Sequence, residues 1–134
     1  MAERKTILIV DDDADLRKTL QLILSRDYEV IEASDGDEVL GILSARRPNL
    51  LVLDVSMQRM GGLEVLKSLR EVAPELLVLM LTAETDIARA KQALDYGATA
   101  YITKPFEFDE LRTEIRRLLD TLTPDEYRPW RVNP

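Results

Sequence analysis

The chain has 134 residues, which suits one domain with a sizeable core. Apolar residues make up 46% of it and charged residues 32%, a composition typical of a folded globular protein rather than a disordered one. The formal net charge is −7, and this sign disfavours direct binding of the segment to nucleic acid. Because the sequence has no Cys and no His, a disulfide, a thiolate zinc site and a histidine general base are all excluded. Any chemistry must therefore use carboxylates, hydroxyls, lysine and a hard metal ion.

The first half of the chain predicts three strands separated by two amphipathic helices. Residues 7–10 are apolar throughout, which is typical of a strand buried on both faces of a parallel sheet. Asp13 is a good N-cap for the first helix, and Asp35 is the expected N-cap of the second. A weaker strand is predicted over 28–33, and the apolar run 50–53 predicts the third. Each helix has an apolar inner face: Leu16, Leu20, Ile23 and Leu24 in the first, and Val39, Leu40 and Leu43 in the second.

The second half predicts two further strands, over 76–81 and 99–103, and three helices. The helix over 84–96 offers mainly small inner residues, so we expect it to bury little apolar area and to dock loosely. Gly97 is its expected left-handed C-cap. The inner faces of the three helices are, in chain order, Leu63, Leu66 and Leu69; Ile87, Ala90 and Leu94; and Leu111, Ile115, Leu118, Leu119 and Leu122.

The alternation of strands and helices predicts an α/β fold, with five parallel strands in a doubly wound sheet and helices on both faces. No run of apolar residues reaches the roughly 18 that a membrane span needs, and the first residues carry no long apolar segment. We therefore expect a cytoplasmic location without membrane contact. The helical pattern ends at Leu122, so we place one domain at 1–122. Residues 123–134, with three prolines, are interpreted as a tail or the start of a linker.

Acidic residues directly follow two of the predicted strands. Asp11 and Asp12 come after the first strand, and Asp54 comes after the third. Ligands of doubly wound sheets bind at the carboxyl ends of the strands, where these carboxylates would repel one another unless a cation lay between them. All-oxygen ligation is what Mg²⁺ prefers, so the pattern predicts a Mg²⁺ site. A helix N-cap is the plainer explanation for any one of these residues; it accounts well for Asp13 but not for three acidic residues in a row.

A hydroxyl and an ammonium group lie at the ends of the last two strands. Thr82 and Lys104 would each, taken singly, be an ordinary cap or a solvated charge. Together with a metal-bound carboxylate cluster, they form a site suited to a phosphoryl group. Because the sequence contains no Gly-rich phosphate loop, we favour a phosphoryl group carried covalently on a carboxylate over a bound nucleotide.

Four stretches together resemble the receiver domain of two-component response regulators, the family of the chemotaxis response regulator. Each stretch alone is a weak signal, but all four in this order across 6–122 are a strong one. The resemblance implies a flavodoxin-like sheet with strand order 2-1-3-4-5 and five helices. The stretches are ILIVDDD (7–13), LLVLDVSMQRMGG (50–62), VLMLTA (78–83) and AYITKPF (100–106).

The resemblance also implies a role for each carboxylate. Asp54 matches the phosphoacceptor of the family. Asp11 and Asp12 match its acidic pair, which holds Mg²⁺ directly or through water, and the backbone carbonyl of Ser56 is expected to complete the metal shell together with Asp54. The donor is expected to be the phosphohistidine of a histidine kinase or of a histidine phosphotransfer protein.

Further positions match the part of the family that responds to phosphorylation. Thr82 and Lys104 are expected to contact phosphoryl oxygens, and Tyr101 matches the aromatic residue whose rotamer reports phosphorylation. The Lys104–Pro105 bond is expected to be cis, as is typical of this family. The response is expected on the face formed by the fourth helix, the fifth strand and the fifth helix. One departure is visible, since Gln58 stands where the family usually has proline.

These matches predict a signalling protein that catalyses only its own phosphotransfer and autodephosphorylation. Its partners would be the kinase, and either a downstream protein or an output domain of its own, with a phosphorylation-dependent homodimer as a further option. Two organisations stay open: a stand-alone regulator, and the receiver module of a longer transcription factor or enzyme. A Mg²⁺-dependent phosphohydrolase of the haloacid dehalogenase type is a weaker alternative, because neither DDDAD (11–15) nor DVSMQ (54–58) fits the DxDx[TV] pattern of that family.

Overall fold

A computed structural model describes residues 4–55, 61–83 and 87–121 of the chain. Strands and helices alternate over these residues. The strands are β1 (Thr6–Val10), β2 (Glu29–Ala33), β3 (Leu50–Asp54), β4 (Leu77–Ala83) and β5 (Ala100–Lys104). The helices are α1 (Ala14–Leu24), α2 (Val39–Arg46), α3 (Gly62–Val72), α4 (Ile87–Asp95) and α5 (Phe108–Asp120), and a short 3₁₀ helix, Gly36–Glu38, precedes α2. The predicted domain end at Leu122 and the tail at 123–134 lie outside the described residues.

The five strands form one parallel sheet in the order β2-β1-β3-β4-β5. This confirms both the fold class predicted from the alternation and the strand order implied by the resemblance. In the sheet register, Asp54 lies opposite Leu81 of β4, and Ala83 lies opposite Lys104 of β5. Because Asp11 directly follows β1, the residues singled out in the sequence meet at the carboxyl edge of the sheet. Among the described helices, none is both long and apolar enough to cross a bilayer.

Each face of the sheet is covered by its own hydrophobic core. Along β1, Leu8 and Val10 contribute to the core that includes residues of α2, α3 and α4. Ile7 and Ile9 contribute to the opposite core, which contains residues of α1 and α5. This alternation follows from the two-residue period of a strand, and it explains why the central strands are apolar throughout.

Two inner-face predictions were wrong. Leu94 of α4 is 39% exposed, and Ala93 is buried together with Ala90 instead. Residues three apart share a helix face, so these two small side chains face inward and leave Leu94 at the edge of that face. In α2, Leu40 is 45% exposed because the inward positions are taken by Val39 and by the residue four places further on.

The predicted helix ends are largely as expected. Asp13 caps α1, since its side chain accepts hydrogen bonds from the backbone N–H groups of Asp15 and Leu16. Gly97 follows α4 with φ of +99°, the left-handed conformation expected of a C-cap glycine. Asp35 differs from the prediction, because it caps the 3₁₀ helix rather than α2 itself. The 3₁₀ turn fills the first turn of the predicted helix, so the cap lies one turn ahead of α2.

Candidate functional site at the carboxyl edge of the sheet

Three carboxylates meet where β1 and β3 end. Asp11, Asp12 and Asp54 each offer an oxygen atom, and these oxygens lie within 4.8 Å of one another. Asp11 and Asp54 are buried, whereas Asp12 is exposed. The two strands are neighbours in the sheet, so their ends bring together residues that are more than forty positions apart in the sequence. The predicted metal ligand Ser56 and the departure at Gln58 lie outside the described residues.

The Asp11 residue is held on both sides of its backbone. Its N–H donates to the carbonyl of Ala33 at 3.2 Å, and its own carbonyl accepts from Nη1 of Arg17 at 2.6 Å. One oxygen of its carboxylate accepts from the backbone N–H of Asp13 at 2.9 Å. These contacts fix the loop between β1 and α1, and they leave the second carboxylate oxygen directed at other groups of the site.

The Lys104 side chain reaches across the edge of the sheet to both buried carboxylates. Its Nζ lies 3.1 Å from Oδ2 of Asp11 and 3.6 Å from Oδ2 of Asp54. Burial acts to lower the pKa of the Lys104 ammonium, but the negative charges of Asp54 and Asp11 outweigh it, and the pKa lies above its ordinary value. The group is therefore fully charged at neutral pH and offsets part of the negative charge of the cluster.

Two further predicted residues, Thr82 and Tyr101, face the same side of the sheet. Thr82 is buried in β4, and its hydroxyl lies 3.5 Å from the carbonyl of Ala83, a long contact. Tyr101 of β5 is partly buried and packs against the core shared with α3 and α4. Its register partner Met80 belongs to the same core, and by the two-residue period Thr82 faces that side as well. The Lys104–Pro105 peptide bond is cis.

One residue of the site was not given a role by the sequence reasoning. Gly62 is the first residue of α3, and its N–H donates to the carbonyl of Val55 at 3.0 Å. A Cβ at this position would lie 2.3 Å from the backbone oxygen of Asp54 and 2.8 Å from Cα of Val55. Only glycine lets α3 begin this close to the end of β3. The sequence signal was the Gly61–Gly62 pair directly before an amphipathic helix.

The donor set suits a hard divalent cation. All three clustered side chains offer carboxylate oxygens, and the exposed position of Asp12 keeps one side of the cluster open to water. Mg²⁺ typically binds through one or two carboxylates while keeping several waters. The described residues of this edge therefore fit a metal site. The fold and this edge together define a class of protein: doubly wound α/β domains with an acidic, lysine-containing site at the carboxyl ends of the strands.

Comparison with known proteins identifies the family. The family model for the response regulator receiver domain matches residues 7–116 of the sequence, and the chain belongs to this family. It is similar to the response regulator MprA of Mycolicibacterium vanbaalenii, with 43% identity over 121 residues that cover 90% of this chain and 52% of that protein. MprA of Mycobacterium leprae is 44% identical over 121 residues, covering 90% of this chain and 53% of that protein. The chain thus spans about half the length of these curated relatives.

Solved structures agree with this assignment. The receiver domain of NtrX from Brucella abortus superposes with a TM-score of 0.82 at 37% identity, covering 87% of this chain and 99% of that one. The chemotaxis protein CheY4 of Vibrio cholerae gives a TM-score of 0.80 at 30% identity, covering 86% of this chain and 98% of that one. The resemblance stated from the sequence is confirmed, and the protein contains a response regulator receiver domain.

Proposed function

We propose that this receiver domain accepts a phosphoryl group on Asp54, with Mg²⁺ held by Asp11, Asp12, Asp54 and the backbone carbonyl of Ser56. The observation that carries the proposal is the convergence of three carboxylates within 4.8 Å with the Lys104 ammonium, 3.6 Å from Asp54. Isolated N-caps or solvated charges would not account for two buried carboxylates, Asp11 and Asp54, that share one partly buried ammonium group. Family membership supports the same function.

The reaction begins with a carboxylate oxygen of Asp54 attacking the phosphorus of a phosphohistidine. The new O–P bond forms as the P–N bond breaks, and the imidazole leaves with the electron pair of that bond. Because this chain has no His, the donor lies on a histidine kinase, on a phosphotransfer protein or on a small phosphodonor such as acetyl phosphate. Mg²⁺ supplies charge neutralisation at the phosphoryl oxygens when it is bound. Hydrolysis of the acyl phosphate resets the domain, and no further catalysis is proposed.

The protein residues contribute position and charge. Asp54 is held at the end of a fully buried strand, so its carboxylate is oriented before the donor arrives. Lys104 is charged at neutral pH because the neighbouring carboxylates raise its pKa, and it is placed to neutralise one phosphoryl oxygen. Thr82 supplies the hydroxyl for another oxygen. Since Thr82 and Tyr101 face the side of the sheet that α4 covers, an inward pull on Thr82 acts on the face formed by α4, β5 and α5.

The proposal extends to the output of the switch, that is, to what the phosphorylated domain acts on. This chain spans about half the length of the matched relatives, which supports a receiver module acting on an output domain, with a downstream protein or a phosphorylation-dependent homodimer as alternatives. We retain a receiver domain at 1–122 followed by a linker or tail at 123–134. The cytoplasmic location and the absence of nucleic-acid binding by this segment stay predictions.

Intact-mass spectrometry after incubation with acetyl phosphate and Mg²⁺ tests the proposed function. We expect one phosphoryl group on the wild type, none on Asp54→Asn and a strongly reduced rate for Lys104→Ala. Asp120→Asn, which removes an exposed carboxylate at the far end of α5, is the matched control and is expected to be phosphorylated like the wild type. Phosphorylation of a folded Asp54→Asn variant would show that the acceptor is misassigned.

A further inference from the structure

We propose that Arg17 is a positioning residue that holds the loop at 11–13 in the shape in which it binds a metal. Its guanidinium joins the backbone carbonyl of Asp11 to the carboxylate of Glu32 on the neighbouring strand. The inference rests on the proposed function, because that function assigns Asp11 and Asp12 to the metal. Arg17 itself is no ligand, and it acts through the backbone of the residue that is one.

The guanidinium of Arg17 contacts two acceptors through two different nitrogen atoms, and we call this arrangement the fork. Arg17 lies in α1, and its side chain is 17% exposed. Nη1 donates to the carbonyl oxygen of Asp11 at 2.6 Å, and Nε lies 3.4 Å from Oε1 of Glu32. The planar guanidinium can serve both acceptors at once, which a lysine ammonium on a flexible chain cannot do with the same geometry. One side chain therefore connects α1, β2 and the metal-binding loop.

The contacted carbonyl is well placed to control the position of Asp12. The carbonyl of Asp11 belongs to the peptide unit that joins Asp11 to Asp12, and this unit is planar. The N–H of Asp11 is fixed separately, by its bond to the carbonyl of Ala33 in β2. With both backbone groups of Asp11 held, the direction in which the chain continues into Asp12 is set. Asp12 is exposed and has little packing of its own, so the loop depends on these bonds for its shape.

An electrostatic role and a positioning role for Arg17 predict opposite effects of its removal on Mg²⁺ affinity. If only its positive charge mattered, removing it would strengthen the binding of a cation to the nearby carboxylates. If the fork positions the loop, removing the Arg17 side chain weakens Mg²⁺ binding. Part of the binding free energy must then be used to bring Asp11 and Asp12 together. The variant Arg17→Lys separates the two further, since it keeps the charge and loses the fork. The measured direction of change therefore distinguishes a positioning residue from a simple electrostatic neighbour.

The experiment is a Mg²⁺ titration of the nitrogen-labelled 134-residue chain, followed by the amide resonances of Asp12 and Asp13. We expect both Arg17→Met and Arg17→Lys to bind Mg²⁺ about tenfold more weakly than the wild type, at the low end of outer-shell effects on metal affinity. The matched control is Arg46→Met, which breaks an exposed ion pair with Glu29 on the same strand and leaves the loop untouched. Its Mg²⁺ affinity is expected to equal that of the wild type.

A second measurement does not involve the metal. The N–H of Asp13 donates to the Asp11 carboxylate, so its hydrogen exchange without Mg²⁺ is expected to be faster in Arg17→Met than in the wild type. If Arg17→Met proves unstable, Glu32→Gln is the substitute. It is expected to weaken Mg²⁺ binding less, and to add nothing when combined with Arg17→Lys, because Glu32 acts through the fork.

The outcomes separate this inference from the function on which it rests. Equal or tighter Mg²⁺ binding by the Arg17 variants, alongside normal binding by the wild type, would overturn the positioning role alone. A wild type that shows no saturable response to Mg²⁺ would overturn the proposed metal site, and the inference with it. Weaker binding by Arg46→Met as well would show that any disturbance of β2 has this effect, which also contradicts the specific role of Arg17.

Discussion

Helices α4 and α5 cover opposite faces of the sheet beside β5, but they are held by very different side chains. The buried residues of α4 are Ala90 and Ala93, whereas α5 buries four branched aliphatic residues: Leu111, Ile115, Leu118 and Leu119. Burying a large aliphatic side chain contributes about 1.5–3 kcal/mol, and alanine contributes far less. The comparison shows an anchored helix on one face and a weakly held helix on the other.

The difference matters because the two faces receive different parts of the site. Along the strands, the period of two directs Asp54 and Lys104 towards the face of α1 and α5, and Thr82 and Tyr101 towards the face of α4. The proposed phosphoacceptor and the ammonium group that neutralises the phosphoryl group thus lie over the anchored side. The groups proposed to respond lie over the side that can move at low cost.

Removing a buried side chain from α5 should cause the largest loss of stability. Leu119 is 1% exposed, and Leu119→Ala is expected to lower the free energy of unfolding by about 2–5 kcal/mol, since it deletes buried methyl groups and leaves a cavity. Urea unfolding followed by circular dichroism measures this loss. A loss below about 1 kcal/mol would mean that α5 is not the anchored helix, and the comparison would not hold.

The turn that follows α4 should be the next most sensitive point. Gly97 has φ of +99°, and a Cβ there would lie 2.8 Å from Cδ of Arg70. The Arg70 side chain cannot move freely, because its guanidinium donates to the carbonyls of Pro74 and Leu76, each at 2.7 Å. Gly97→Ala is therefore expected to lower the free energy of unfolding by about 1–3 kcal/mol, from left-handed strain and the displacement of Arg70.

Gly41 provides the control for that prediction. It lies inside α2, and a Cβ at this position would meet nothing within 4 Å. Gly41→Ala is expected to raise the free energy of unfolding by about 0.5–1 kcal/mol, because alanine favours the helix and meets no obstacle. If the two substitutions change the free energy of unfolding with opposite signs, the loss at Gly97 comes from its backbone conformation and surroundings. Equal signs would contradict that explanation.

The sequence predicted these features to different degrees, for physical reasons. Strands buried on both faces are apolar throughout, so the five-stranded sheet was visible in the pattern, and the C-cap at Gly97 follows from local chemistry. The inward direction of Ala93 rather than Leu94 was missed, because close packing of small residues leaves no strong apolar period. The role of Gly62 was missed because its obstacle, the backbone of Asp54, is a tertiary contact. The ion pair between Lys104 and Asp11 was not predicted, because it joins two strand ends that are far apart in the sequence.

A smaller effect is expected when Thr82, which is proposed to couple the phosphoryl site to α4, is replaced by alanine. One neutral hydrogen bond contributes about 0.5–1.5 kcal/mol, which is small beside the charges at Asp54 and Lys104. Thr82→Ala is therefore expected to accept phosphate, but to lose most of the response in α4. The measurement is a pair of amide spectra with and without beryllofluoride, which mimics the phosphoryl group. The wild type should show shifts in both the site and α4, and the variant should show them near Asp54 only.

The resonances of α5 are the internal control for that experiment, because an anchored helix should respond less than α4 in the wild type. A full response across α4 in Thr82→Ala would contradict the proposed coupling between Thr82 and Tyr101. The signal would then have to pass through another element. A larger response in α5 than in α4 would overturn the comparison itself.

The smallest effect is expected at Leu94, the α4 counterpart of the first substitution. Leu94→Ala makes the same chemical change as Leu119→Ala, but the Leu94 side chain is 39% exposed, so less apolar surface is lost and water fills the space left behind. Alanine is also the best helix former, which offsets part of the loss. We expect the free energy of unfolding to fall by less than about 1 kcal/mol, measured by the same urea titration. Because the residue type is constant between the two variants, the ratio of their effects measures the difference in anchoring between the helices. A loss at Leu94 as large as that at Leu119 would show that α4 is held as firmly as α5, and that its movement on phosphorylation has no basis in packing.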